Sequence, residues 1–162
     1  MTFDIRPTPP DHPQVLALIA ELDAYLASLY DPEDVYIVDL AGLMAPGVTF
    51  LGAWDGETLV GCGAVRLMPA EAETDGRPYG EIKRMFVSSA RRGERIGQQV
   101  LDALERTLLE RGIDRALLES GPPQVEALGL YSRCGYAPRA VFGGYPDNAA
   151  ASVFMEKRWK TG

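Results

Sequence analysis

The sequence predicts a mixed α/β fold in which a central sheet of about seven strands carries helices on both faces. Three observations predict it. Strand-like and helix-like runs follow the order strand, helix, three strands, helix, strand, helix, two strands. The dipeptide Asp55-Gly56 joins two of the strands as an antiparallel hairpin. The 162 residues, 46% of them hydrophobic and spread along the chain, make one domain, residues 1–162, large enough to bury its own core.

Thr2 to Arg6 alternates through Phe3 and Ile5 and reads as the first strand, closed by a turn region with Pro7, Pro9 and Pro10. After Pro13, Val15, Leu16, Leu18, Ile19, Leu22, Leu26 and Leu29 recur at three- and four-residue spacing, which is an amphipathic helix. Tyr30-Asp31-Pro32 ends it, because the residue before a proline is biased away from helical geometry. Asp34 to Leu43 reads as a loop with one short helix. Val48 to Trp54 and Thr58 to Leu67 are the hairpin strands, Pro69 to Pro78 is a polar connection, and Tyr79 to Val87 is the next strand. Ser88 to Gly93 is a loop before a helix marked by Ile96, Val100, Leu101, Leu104 and Leu108, which stops near Arg111-Gly112. A short strand over Ala116 to Leu118 and a helix from Val125 to Ser132, stopped at Gly135, come next. The last strand, Ser152 to Trp159, pairs with Ala140 to Phe142.

A net charge of −7 repels nucleic acid and anionic membrane surfaces, so any bound anion needs a local basic cluster. The start Met-Thr-Phe-Asp-Ile-Arg has no signal-peptide core, and no apolar run reaches the roughly 20 residues that span a bilayer. The expected address is the cytoplasm, where Cys62 and Cys134 are reduced thiols. With no C-x-x-C pair and one histidine, His12, at a helix start, no metal site and no histidine-based triad is predicted. The chemistry falls to carboxylates, tyrosine, lysine or backbone amides.

Arg91, Arg92 and Arg95 crowd the first turn of a helix, where exposed N–H groups already present positive potential. A phosphate or pyrophosphate shared among them would make the arrangement favourable, and Gly93 and Gly97 would let the backbone approach it. The alternative is a solvated turn whose arginines pair with Glu94 or other acids.

Here the sequence resembles the GNAT superfamily of N-acetyltransferases. The family signature is Gln or Arg, two residues, Gly, one residue, then Gly or Ala, between a strand and a helix. It is similar to Arg92-Gly93-Glu94-Arg95-Ile96-Gly97, with Arg95 standing where the family has glycine. A second block, Gln124-Val-Glu-Ala127-Leu-Gly-Leu130-Tyr131-Ser-Arg-Cys-Gly135-Tyr136, resembles the family's Asn-x-x-Ala-x-x-Leu-Tyr-x-x-x-Gly-Phe. The resemblance implies a mostly antiparallel sheet and an acetyl-CoA site at Met85, Phe86, Val87, Arg92, Gly93, Glu94, Arg95, Ile96, Gly97, Gln98 and Gln124. It also implies a bulge near Met85 to Val87 whose main chain pairs with the pantetheine arm.

An alkyl amine of pKa near 10.4 is only about 0.04% neutral at pH 7, so attack on a thioester profits from a base. The resemblance implies that Glu81 is this base, through a water. Strand alternation places it on one face with Lys83, Met85 and Val87, and the plainer reading is a carboxylate paired with Lys83 or Arg66. The resemblance likewise implies that Tyr131 is the acid for the departing thiolate, against a plain core tyrosine. Tyr25, Tyr30, Tyr36, Asp31 to Asp39, Phe142 and Tyr145 would by analogy lie over the acceptor, while Lys83, Arg84 and Arg66 could greet a carboxylate. Gly80-Glu81-Ile82-Lys83 and Ser152-Val-Phe-Met-Glu156-Lys157 are similar to runs in bacterial members named for small acids such as indole-acetate. The expected activity is acetyl transfer to a primary amine of a small molecule, by a monomer or homodimer. The alternative is an acyl-CoA sensor without turnover. A nucleotide hydrolase is disfavoured, since no G-x-x-x-x-G-K-[ST] occurs.

Overall fold

The computed structural model describes residues 2–148 and 150–160. Its elements are β1 (Asp4–Pro7), α1 (Pro13–Leu29), α2 (Leu40–Leu43), β2 (Val48–Asp55), β3 (Thr58–Met68), β4 (Tyr79–Val87), α3 (Ile96–Glu110), β5 (Arg115–Ser120), α4 (Val125–Arg133), β6 (Ala137–Arg139) and β7 (Val153–Arg158). The seven strands form one sheet in the order β1-β2-β3-β4-β5-β7-β6. Neighbours are antiparallel except β4 and β5, which run parallel and pair at Gly80–Ala116 and Glu81–Leu117. Both strands continue past that contact, so the sheet opens between their C-terminal halves.

The two faces are filled by different helices, as the amphipathic spacing requires. Val15, Leu18 and Leu22 of α1 pack on Phe50, Trp54, Leu59, Cys62, Ala64 and Phe86. On the other face Ile96, Val100, Leu101, Leu104 and Leu108 of α3 pack on Val65, Ile82, Ala116 and Leu118, joined by Tyr131 of α4. Each fully buried leucine contributes about 2 kcal/mol of apolar burial. His12 serves the fold, since its Nδ1 accepts a hydrogen bond from the Gln14 amide at 3.1 Å and so caps α1.

The strand β4 is bulged at Arg84 and Met85, at the start of the expected stretch. Ala64 faces Lys83 and Cys62 faces Phe86, so Gly63 alone opposes Arg84 and Met85. Arg84 takes φ of 55°, a left-handed conformation that is unfavourable for a residue with a Cβ. Its side chain compensates, with Nη1 2.6 Å from Asp23 Oδ1 and Nε donating to the Val38 carbonyl at 3.1 Å. Glycine suits position 63 opposite, because a Cβ there would lie 2.5 Å from Met85 Sδ and 2.8 Å from Val100 Cγ1, so the packing of α3 on the bulge would have to shift. The bulge also corrects the expected alternation. Met85 and Val87 pack toward α3, whereas Lys83 and Glu81 face the opposite side with Tyr145.

Two further expectations shift. The hairpin loop is Gly56-Glu57, since Asp55 still pairs with Thr58. The partner of β7 is Ala137–Arg139, not Ala140 to Phe142. An edge strand accommodates Pro138, whose missing N–H can face outward, and Phe142 leaves the sheet to pack with Tyr79, Leu117 and Phe154.

Candidate active site

A groove of about 550 Å³ lies where β4 parts from β5. Met85, Phe86 and Val87 of β4, Arg92, Gly93, Arg95, Ile96, Gly97 and Gln98 at the start of α3, and Gln124 at the start of α4 line it. Of the residues expected to hold a coenzyme, Glu94 alone is off this surface; its Oε2 pairs with Arg91 Nε at 2.8 Å. Two of the three arginines of the turn pair with acids, as the plainer alternative expects. Arg91 is also paired with Asp55 at 2.9 Å and Arg92 with Glu126 at 2.7 Å. Arg95 and Arg133 line the groove and, among the described residues, form no ion pair. Arg95 precedes α3 at φ of 61°, and no side chain caps the helix's first amides. The positive end of α3 is therefore open to the groove.

On the far side of Met85, Gln124 and Tyr131 lies a smaller cavity of about 80 Å³. Those three residues and Leu22 line both spaces. Tyr30, Asp34, Tyr36, Lys83, Glu119 and Ser120 line the smaller one. Tyr131 is only 7% exposed, and burial holds its phenol protonated well above the ordinary range. Among the described residues no protein group hydrogen-bonds its hydroxyl. Tyr30 donates to Gln124 Oε1 at 3.0 Å, and burial pushes its phenol up to about 12. That bond occupies the Gln124 carbonyl and leaves its NH₂ for a ligand.

The residues expected at the acceptor are divided, with Tyr36 and its loop on the smaller cavity and Phe142 in the core. Tyr30 and Lys83 line the smaller cavity, whereas Tyr25 lies on the large groove against Phe86, with ring centroids 6.5 Å apart. Tyr145 stands behind Lys83. Its hydroxyl donates to Glu81 Oε2 at 2.5 Å and accepts from Lys83 Nζ at 2.6 Å. Glu81 is 1% exposed, lines neither space, and is further held by Arg66 at 2.7 Å and Lys83 at 3.6 Å. Burial lowers the Lys83 ammonium below its usual value, against the opposing pull of Glu81.

Sequence reasoning missed Glu119. It ends the apolar strand β5, lines the smaller cavity, and accepts a hydrogen bond from Ser152 Oγ at 2.9 Å. Burial raises its carboxyl to about 7, although Ser152 and Lys83 act in the opposite sense. The available signal was a single acid at the C-terminal end of a buried strand, the end at which α/β sheets bind ligands.

The sequence pattern of the Acetyltransferase (GNAT) family matches residues 15–136. An IAA acetyltransferase of Azospirillum brasilense is 42% identical over 144 residues, covering 88% of this chain and 89% of that protein. Among solved structures, a Klebsiella pneumoniae protein assigned as an acyl-CoA N-acyltransferase superposes with a TM-score of 0.79 at 34% identity, covering 96% of this chain and 97% of that one. The paiA N-acetyltransferase of Thermoplasma acidophilum, solved with coenzyme A, shares the fold at a TM-score of 0.73 and 17% identity, covering 98% of this chain and all of that one (100%). The open seven-stranded sheet, the arginine-rich start of α3 and the matched span agree, and the chain belongs to the GNAT family of acetyltransferases.

Proposed function

We propose that this enzyme transfers the acetyl group of acetyl-CoA to a primary amine of a small molecule. The observation that carries the reading is that the long groove and the small cavity share one wall at Met85, Gln124 and Tyr131. A thioester end brought along the groove would meet an acceptor at that wall. The groove suits the coenzyme: its uncapped helix amides, Arg95 and Arg133 can hold a diphosphate, and Met85, Phe86 and Val87 offer strand main chain to an extended amide arm. The name of the Azospirillum relative and the coenzyme A complex of the paiA enzyme support the same assignment.

Acetyl-CoA supplies an acyl group already activated as a thioester. Tyr131, protonated and without a protein partner, donates to the departing sulfur. A carboxylate takes the proton of the amine. Main-chain N–H groups beside the β4 bulge polarise the carbonyl. The cavity's volume of about 80 Å³ holds an acceptor head of a few heavy atoms, and Lys83 on its wall suits an acceptor that carries a carboxylate nearby.

The test is calorimetric titration with acetyl-CoA followed by thiol release in the presence of benzylamine, tyramine, putrescine and alanine. Saturable binding with amine-dependent release is expected. Binding without release from any amine would favour a sensor of acyl-CoA, and absence of binding would reject both. Binding should also weaken with salt, because the groove's cations are exposed.

Arg95→Gly separates ligand binding from fold stability. Relief of the left-handed backbone and the added freedom of the unfolded chain are each about 1 kcal/mol and oppose one another. Urea unfolding is therefore expected to change by less than about 1 kcal/mol. Loss of one solvent-exposed cation should weaken acetyl-CoA binding about fivefold. Unchanged affinity at low salt would remove Arg95 from the site.

A further inference from the structure

Two carboxylates compete for the amine's proton on chemical grounds, and their surroundings differ. Glu81 is sealed: Arg66, Lys83 and Tyr145 occupy its oxygens and it reaches neither the groove nor the cavity. Glu119 lies on the cavity wall with Tyr131, and among the described residues its one direct hydrogen bond is from the Ser152 hydroxyl. Asp34 also lines the cavity, from the Pro32–Asp34 turn outside the sheet. The charge of Glu119 is felt by Tyr30 at the end of α1, Lys83 on β4, Tyr131 on α4 and Tyr145 before β7. On the neighbouring strand β4, Glu81 acts on it as a like charge and Lys83 as the opposing cation.

We propose that Glu119, not Glu81, is the general base of the transfer, and that Glu81 is a positioning residue that fixes Lys83 and Tyr145. The proposal rests on the transferase reading above. In the step, a bond forms between the amine nitrogen and the acyl carbon while an N–H bond breaks and its proton moves to a Glu119 oxygen. The carbon–sulfur bond breaks with its electron pair on sulfur, which accepts a hydrogen bond from Tyr131. Glu119 then returns its proton to solvent, so amine and thioester become amide, thiolate and one proton. A carboxyl titrating near neutrality is half ionised at working pH and basic enough to share in the transfer.

The deciding measurement is kcat against pH at saturating acceptor, with the best amine of the four named above. The base must be deprotonated, so wild-type kcat is expected to fall as pH drops below about 7. Glu119→Gln should lower kcat about 100-fold and erase that limb while acetyl-CoA affinity is kept. Glu119→Asp should retain the limb with a reduced plateau. Glu81→Gln should keep the limb and lose less than about tenfold in kcat, its main effect being on KM through the displaced Lys83. A Glu119→Gln enzyme that keeps both rate and limb, or a Glu81→Gln enzyme that alone loses them, overturns the assignment. A ¹³C-carboxyl titration provides a readout independent of turnover: one glutamate should titrate near 7 in wild type and be missing in Glu119→Gln. No such resonance would also overturn it. Failure of wild type to acetylate any amine would instead reject the transferase reading itself.

Discussion

Tyr131→Phe is expected to lower kcat about 100-fold and to leave acetyl-CoA affinity within about tenfold. The ring is 7% exposed and packs against Tyr136 with centroids 5.9 Å apart, so phenylalanine keeps the packing and only the hydroxyl is lost. That hydroxyl has no protein partner among the described residues, so its removal strands no buried group, and thermal stability should be unchanged or slightly raised. The magnitude is set at the low end of acid catalysis for a reason. A thiol titrates near 8.5, and burial lifts this phenol above its ordinary value, so full proton transfer to sulfur runs uphill. The gain is a hydrogen bond to the developing negative charge inside a site that excludes water. Steady-state thiol release, with affinity measured separately, checks both halves. A kcat within about threefold of wild type would return Tyr131 to a core role.

Much of the groove was legible because its chemistry is local. The start of α3 carries arginines, glycines and amides within one turn, and the sequence alone shows that they are consecutive. The same holds for Gln124 and Tyr131, two turns of one helix that line a common surface. The order of elements along the chain was legible too, since each element has its own periodicity. What could not be read is whatever depends on a count of residues inside a strand. The bulge at Arg84 adds one residue, and with it Met85 and Val87 change faces relative to Glu81. The resemblance implied a bulge near here, but the residues themselves do not mark its position, because the left-handed site is held by an arginine whose ion pair with Asp23 comes from α1. The smaller cavity was legible in part, through Tyr30, the 31–39 loop and Lys83, but Glu119 was not. The cavity's wall joins the end of α1, the 34–38 segment, β4 and the tip of β5, which meet only once the sheet has splayed. Glu81 and Glu119 look alike on paper; it is Tyr145, arriving from a distant loop, that seals one and not the other.

Arg115 anchors the sheet beside the place where β4 and β5 still pair. The parallel contact of β4 with β5 is confined to Gly80–Ala116 and Glu81–Leu117, immediately after this residue. The Arg115 side chain is 6% exposed; Nε donates to Asp114 Oδ1 at 2.9 Å and Nη1 to the Thr74 carbonyl at 3.2 Å, with Asp75 at 3.1 Å and Glu156 at 3.8 Å. It thereby ties the start of β5 to the connection before β4 and to β7. Arg115→Ala is expected to destabilise the fold by about 3 kcal/mol, the lower end for breaking a buried pair. The lower end applies because the abandoned acids keep other cations: Arg77 lies 3.1 Å from Asp114, and Arg139 lies 3.2 Å from Glu156. Arg115→Met, which fills the space, should lose about 1 kcal/mol. The pH dependence gives a further check. The Arg115 hydrogen bond is the largest influence holding Asp114 below the usual carboxylate range. A depressed native pKa stabilises above the unfolded value near 3.9, and that stabilisation fades as pH falls through the native value. The stability gap between wild type and Arg115→Met, measured by urea unfolding, should therefore close as pH is lowered below about 4. A gap that stays constant into acid would mean that Arg115 acts through packing and its bond to the Thr74 carbonyl, not through Asp114.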